Sequence, residues 1–193
     1  MVNHLKTTSQ AGQDMFAHYI SGRIHNGSFV DIGCHDGITH SNSYGLEHMG
    51  WVGVLVDYQV GICTTPRRNP IIYSDAMDPS PELLEAYRTL PPQLGYLSVD
   101  CDGGTWEALK RFPLDKVQCQ SITVEHDRYR MGDAMRDLMR EYLKSLGYDL
   151  VCADVVAPGY GQFEDWWAHP RWSSSGVRNH IRCEGKLFGE MHT

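Results

Sequence analysis

FVDIGCHDGITHSNS, residues 29–43, is the stretch on which the reading of the whole chain turns. An apolar run enters at Phe29 and Val30 and meets an acid at Asp31. Gly33 and Gly37 then bracket Cys34, His35 and Asp36. The pattern reads as a buried strand that stops in a tight, polar loop. The glycines let backbone approach a ligand closely. Their spacing is not G-x-G-x-x-G, and no G-x-x-x-x-G-K-[ST] occurs in the chain. Neither a dinucleotide fingerprint nor a P-loop therefore fits. Acids are also poor neighbours for a pyrophosphate. They suit a ligand with a cationic centre and hydroxyls, with Asp31 near an ammonium, Asp57 accepting from hydroxyls and Asp75 beside a base.

Working outward, short apolar strands alternate with helices. Upstream, Met15, Phe16, Tyr19 and Ile20 mark one face of a helix between Gln10 and Ile24. Downstream, SNSYGLEHMG gives a short helix ending near Gly50, and WVGVLVDY a second strand ending at Asp57. PIIYSDA is a third strand. SPELLEAYRTL is a helix with Ser80 as its cap and Pro81 in its first turn. LGYLSVDCDGG, TWEALKRF and SITVEHD continue as strand, helix and strand. Met135, Leu138, Met139, Tyr142, Leu143 and Leu146 then recur at helical spacing, and Gly147 is placed to end that helix. YDLVCADVVA and GQFEDWWAHP, joined by PGYG, read as a hairpin. The predicted fold is α/β: a mostly parallel sheet with helices on both faces and one antiparallel strand added at the end. From Arg171 onward the sequence shows no periodicity. Residues 1–12 and 171–193 are candidate flexible, lid or docking segments of a single domain spanning 1–193.

Composition narrows the function. The chain has 193 residues, 41% hydrophobic and 21% charged, with a formal charge of -7 at pH 7. This length suits one core of ordinary size, and the negative charge offers no general attraction to nucleic acid or anionic membrane. No apolar run is long enough to span a bilayer. The first residues lack the apolar centre of a signal peptide, which makes the cytoplasm the expected compartment. The six cysteines, at 34, 63, 101, 119, 152 and 183, form no C-x-x-C pair and read as reduced, partly buried thiols. Cys34, His35 and Asp36 are consecutive and point apart, a poor zinc set.

In an open parallel sheet, ligands bind beyond the carboxyl ends of the strands. Every one of those ends is acidic here: Asp31 and Asp36, Asp57, Asp75, Asp100 and Asp102, then Glu125, His126 and Asp127. Asp100, Asp102, Glu125 and His126 are the candidate catalytic groups, with His126 as a possible general base. Asp100, Asp102, Glu125 and Asp127 are also a candidate oxygen-rich set for Mg²⁺. Phe163, Trp166, Trp167 and Trp172 are candidates to close over an acceptor. Strand alternation lets only one of the adjacent tryptophans face inward. Arg171, Arg178, His180 and Arg182 are candidates to meet an anionic acceptor.

FVDIGCHDGITHSNSYGLE, GWVGVLVD, YLSVDCDG with WEALKRF, ITVEHD and FEDWWAHP occur in this order between residues 28 and 170. The set resembles the FkbM-type S-adenosylmethionine-dependent methyltransferases. That resemblance implies a Rossmann-like class I methyltransferase sheet of about seven strands, its last strand antiparallel in a C-terminal hairpin. It implies S-adenosylmethionine (SAM) as cofactor, with Asp31, Gly33, Asp36, Gly37, Ser41 and Asn42 around its methionine part. Asp57 then falls at the ribose, where the family usually has glutamate, and Asp75 and Ala76 at the adenine. The implied activity is O-methylation of a small or glycan-like hydroxylated acceptor. The chain is short for the family, so a second subunit completing the acceptor pocket is a further reading. A non-catalytic SAM-binding or assembly protein is the alternative from a different class. A nicotinamide oxidoreductase lacks its fingerprint, and a nucleic-acid methylase would need a basic surface.

Overall fold

The computed structural model describes residues 7–24, 26–63 and 66–185. Eight strands form one sheet: β1 (Ser28–Ile32), β2 (Val52–Asp57), β3 (Ile71–Tyr73), β4 (Gln93–Val99), β5 (Gln118–Glu125), β6 (Asp149–Ala157), β7 (Tyr160–Ala168) and β8 (Cys183–Glu184). Their order is β3-β2-β1-β4-β5-β7-β6-β8. β1 through β5 run parallel, and β7 is inserted antiparallel between β5 and β6. The hairpin expected at PGYG is thus present. Its second strand lies inside the sheet rather than at its edge, and the two-residue β8 adds an eighth strand, parallel to β6.

The helices are α1 (Gln13–Ile20), α2 (Tyr44–His48), α3 (Pro81–Arg88), α4 (Thr105–Arg111), α5 (Arg128–Met131), α6 (Asp133–Ser145) and α7 (Ser175–His180). Leu83 and Tyr87 of α3, Ala108 and Leu109 of α4, and Met139 and Leu143 of α6 share one core cluster with Val30, Leu97, Ile122 and Trp167. On the other side, Phe16 and Ile20 of α1 pack with Trp166 and Ile181, while Ala17 and Leu46 pack with Phe29, Trp51 and Tyr96. Helices therefore cover both faces, as alternating strand and helix patterns require. Ser80 caps α3 by accepting a hydrogen bond from the Leu83 amide at 3.3 Å, with Pro81 in the first turn. On α6, Leu138 departs from the expected stripe and is exposed.

Trp166 and Trp167 are both fully buried, one in each face's core. Strand alternation separates them as expected, but neither looks outward, because α1 and α7 cover the second face. The segment from Arg171 to Gly185 is ordered into the fold rather than loose. Ser174 caps α7, Ile181 is buried, and Arg178 donates to the Ser173 carbonyl and pairs with Asp149 at 2.9 Å. At the other end, Thr7 and Ser9 donate to the buried Asp14 carboxylate at 2.7 and 2.8 Å. Residues 1–6 and 186–193 of the predicted flexible segments lie outside the described residues. All six cysteines are free thiols. No described helix is long and apolar enough to cross a membrane.

Candidate active site

A cavity of about 610 Å³ opens at the carboxyl ends of β1, β2, β4 and β5. Asp31, Gly33, Ser41, Asn42, Asp57, Asp75 and Ala76 line one part of it, and Asp100, Asp102, Glu125 and Asp127 another. Eleven residues chosen from the sequence, scattered over nearly a hundred positions, thus meet in one space.

The loop after β1 is fixed by a contact that only glycine permits. Gly33 has φ +87°, and a Cβ placed there would lie 1.6 Å from the Asp100 carbonyl oxygen. Removing the side chain lets the loop cross the end of β4 and brings Asp100 beside it. Asp57 receives the other side of this loop. Its Oδ2 accepts from the His35 amide at 2.8 Å and its Oδ1 from the Gln59 amide at 2.9 Å. Each oxygen keeps a lone pair, so the carboxylate stays able to accept from a diol.

Asp31 and Asn42 form the floor. Asp31 is buried, accepts from the Ser43 hydroxyl at 2.6 Å, and has its pKa raised by that burial, with Ser43 and the nearby Arg67 opposing the shift. Asn42 donates from Nδ2 to Ser98 at 3.0 Å, while its buried Oδ1 has no partner among the described residues. Such an acceptor is costly when left alone and is suited to a ligand N–H. Beneath the loop, the buried Arg67 guanidinium donates to Glu47 and to the Gly37 carbonyl. No simple motif marks that ion pair in the sequence.

Asp100 and Glu125 face each other as a carboxyl pair that shares a proton. Burial, together with the neighbouring Asp100 charge and the hydrogen bond that Glu125 donates to it, pushes Glu125 up to about 11. Burial also raises Asp100 to about 6, against the lowering effect of its bond to Glu125. Both acids are thus pushed toward their neutral forms, and the pair holds a proton between its two carboxyl groups. Asp102, Glu125 and Asp127 bring one oxygen each to within 4.8 Å of one another. Burial raises Asp127 as well, opposed by the Arg130 guanidinium at 3.1 Å. Arg130 also lies 3.5 Å from Asp102.

Other sequence candidates fall elsewhere. His126 does not line the cavity. Strand alternation turns it to the opposite side from Glu125, where its Nε2 lies 3.4 Å from Asp165 and 3.8 Å from Asp154. Arg140 binds Asp165 through two nitrogens at 2.6 and 2.8 Å in the same buried group. Asp36 turns its carboxylate back onto the amides of Ile38 and Thr39, at 2.9 and 2.7 Å. Gly37 sits behind the loop against Cys63 and Arg67. Phe163, Trp166, Trp167 and Trp172 line no part of the cavity, nor do Arg171, Arg178, His180 and Arg182. Its aromatic residues are instead Tyr58, Tyr129 and Tyr160, and Tyr129 meets Tyr160 edge to face at 6.5 Å between centroids. Tyr58 lies in a loop, Tyr129 in the four-residue α5 and Tyr160 at the first position of β7, so no periodic signal marks them.

No protein-family model and no curated protein sequence matches the chain. Solved structures do. An O-methyltransferase from Bacillus cereus in complex with SAH superposes with a TM-score of 0.59 at 12% identity, over 87% of this chain and 84% of that one. Cofactor-bound Rv0187 from MTB gives 0.58 at 15% identity, over 84% and 82%. Spermidine synthase from Thermotoga maritima gives 0.56 at 12% identity, over 86% of this chain and 62% of that chain. The strand order and these superpositions together establish a Rossmann-like methyltransferase fold. A synthase among the neighbours shows that the fold alone does not name the reaction.

Proposed function

We propose that the chain is a SAM-dependent methyltransferase whose cofactor and acceptor share the 610 Å³ cavity. The observation that carries this reading is the buried, unpartnered Asn42 Oδ1 beside Asp31 in a cavity that also holds Asp57. An N–H acceptor and an acid for an ammonium, and a second acid for a diol, fit the two ends of one cofactor. When bound, SAM supplies an electrophilic methyl group on a sulfonium. Asn42 and Asp31 hold its ammonium, Asp57 its ribose hydroxyls, and Asp75 and Ala76 its adenine. Gly33 keeps the loop close to Asp100 at the end of β4, the side on which the acceptor would be held. The solved neighbours bound to SAH or to their cofactor support the assignment at the level of fold.

Asp100 is the base of this reading. It would take the proton that the acceptor loses to the electrophilic methyl chemistry that bound SAM would supply. Glu125 keeps the shared proton and holds Asp100 in place. The acceptor is the small or glycan-like hydroxylated molecule that the FkbM resemblance implies. Polar groups rather than apolar plugs surround Asp100 and Glu125, which favours a working enzyme over a silent SAM-binding protein. The Mg²⁺ reading fits the donor set less well. Glu125 shares a proton with Asp100, and Arg130 already pairs with both Asp102 and Asp127. A hard dication would have to displace both, so no step is routed through one.

Calorimetric titration with SAM, with and without Mg²⁺, on wild type and Asp57→Ala tests the proposal. Saturable wild-type binding that weakens in the variant is the expected result. Folded wild-type protein that takes up no SAM under either condition overturns it.

A further inference from the structure

Charge in the acceptor half of the cavity is unbalanced. Asp100, Asp102, Glu125 and Asp127 bring four carboxyl groups to it, and among the described residues the only Lys or Arg lining the cavity is Arg130. The proton shared by Asp100 and Glu125 and the guanidinium of Arg130 offset two of those four charges. A site that served only neutral hydroxyls would gain nothing from the remaining excess, because like charges this close destabilise one another.

Two further observations point to what the excess is for. Glu125 is 9% exposed and lines the cavity, and its Oε2 has no hydrogen-bond partner among the described residues. This buried oxygen accepts a hydrogen bond whether or not the carboxyl carries its proton. Arg130 meanwhile bridges Asp102 and Asp127 with a side chain that is half exposed. A cation already occupies the edge of the acid triangle, and it belongs to a side chain free to swing outward. Tyr129 and Tyr160 flank the same region with partly exposed rings, which attract cations through their faces.

We infer that the acceptor carries an ammonium group, held among Asp102, Glu125 and Asp127 beside the Arg130 guanidinium. An ammonium donates up to three hydrogen bonds, one for each acid, and its charge offsets part of the excess that Arg130 leaves. This inference rests on the methyltransferase reading for the word acceptor, but the cation site stands on its own geometry. The methyl group goes either to a hydroxyl of such a molecule or to its amine once that nitrogen has given its proton to Asp100.

Binding of matched probes to the full chain, with and without SAH, tests it. Two bodies are used, phenylethyl and pyranose, each in ammonium, neutral and carboxylate form: 2-phenylethylamine, 2-phenylethanol and 3-phenylpropanoate; glucosamine, glucose and glucuronate. In at least one body the ammonium member should bind ten times more tightly than its neutral partner or better. Asp102→Asn combined with Asp127→Asn should remove that difference while leaving SAH affinity and the circular dichroism spectrum in place. Equal or weaker binding of the ammonium member in both bodies overturns the inference. So does a preference that survives the double substitution, or Mg²⁺ binding that the ammonium probes fail to displace. SAH titrated alone separates the two proposals: its failure to bind sinks the methyltransferase reading, whereas the probe comparison judges the cation site.

Discussion

At Gly33 the fold and the site depend on the same missing atom. A Cβ there would press on the Asp100 carbonyl at 1.6 Å, in a backbone conformation that L side chains avoid. Gly33→Ala should therefore cost about 1–3 kcal/mol from overpacking alone, read as a lower urea midpoint. It should also weaken SAM binding, because β1's loop must lift from β4. Asp57→Ala acts differently: it leaves the loop amides of His35 and Gln59 without their acceptor and removes the diol contact. A loss of about 1.5–3 kcal/mol, on the order of 10- to 100-fold in SAM affinity, should appear in the titration, with Asp57→Asn in between. The base proposed at Asp100 carries a pH signature. Its pKa is raised to about 6, so the reactive carboxylate is lost as pH falls through that value. The log of the methyl-transfer rate should drop by about one per pH unit below 6. In Asp100→Asn the rate should be low and that acid limb absent; an unchanged limb removes Asp100 as the base.

Between elements, two buried acids on β7 point in opposite pH directions. Asp165 is held down to about 2, despite burial, by hydrogen bonds from Arg140 and by the nearby His126 ring. Its folded value lies below its unfolded one, near 3.8. The stability it contributes is present above that unfolded value and is lost as pH falls toward 2. Asp165→Asn leaves Arg140 with Asp154 alone and should lower stability at neutral pH, by less than the ~3–5 kcal/mol of a fully stranded buried charge. Glu164 is fully buried and ties α1 to β7, its Oε2 accepting from Gln13 at 2.9 Å and from Trp166 at 2.6 Å. Burial raises it to about 8. Its stabilising share is complete below about 4.5 and is lost as pH rises through 8. Glu164→Gln should flatten the fall in melting temperature between those values; an equally steep fall would place the titrating group elsewhere. The long elements, β5, α6 and the β6–β7 hairpin, were legible because apolar spacing repeats over eight or more residues. α5, α7 and β8 were not, since four, six and two residues complete too little of any period. The tryptophans misled because cover on the second face comes from α1 and α7, a tertiary fact. His126 was misplaced because its neighbour Glu125 takes the inward face, and strand phase near a chain bend is not written locally.

The whole molecule places its polar chemistry where strand order reverses. β1 sends the chain one way to β2 and β3, and the other way to β4 and β5, so the loops after β1 and β4 part above a crevice. Asp31, Asp57 and Asp100 were legible as site residues for this reason: each ends a strand, and parallel strands bring all their carboxyl ends to one edge. The insertion of β7 between β5 and β6 was not legible, because long-range pairing leaves no local trace; yet it sets Glu164 opposite Glu125 and so adds another acid beneath the cavity. This concentration of buried acids is a stability cost in the empty protein, and a cationic ligand should relieve it. Under two-state unfolding, SAH at a hundred times its dissociation constant should stabilise by about 2.7 kcal/mol. For a chain of this length that corresponds to roughly 5–11 °C in melting temperature. SAM carries a sulfonium that SAH lacks, and the acids around Asp100 see that extra charge. At matched multiples of their own constants the two ligands should shift melting equally, but SAM should need the lower concentration, and 1 M NaCl should narrow the gap. Equal affinities at low salt would mean that the acids do not address the sulfonium, and would leave only Asn42, Asp31 and Asp57 to explain cofactor binding.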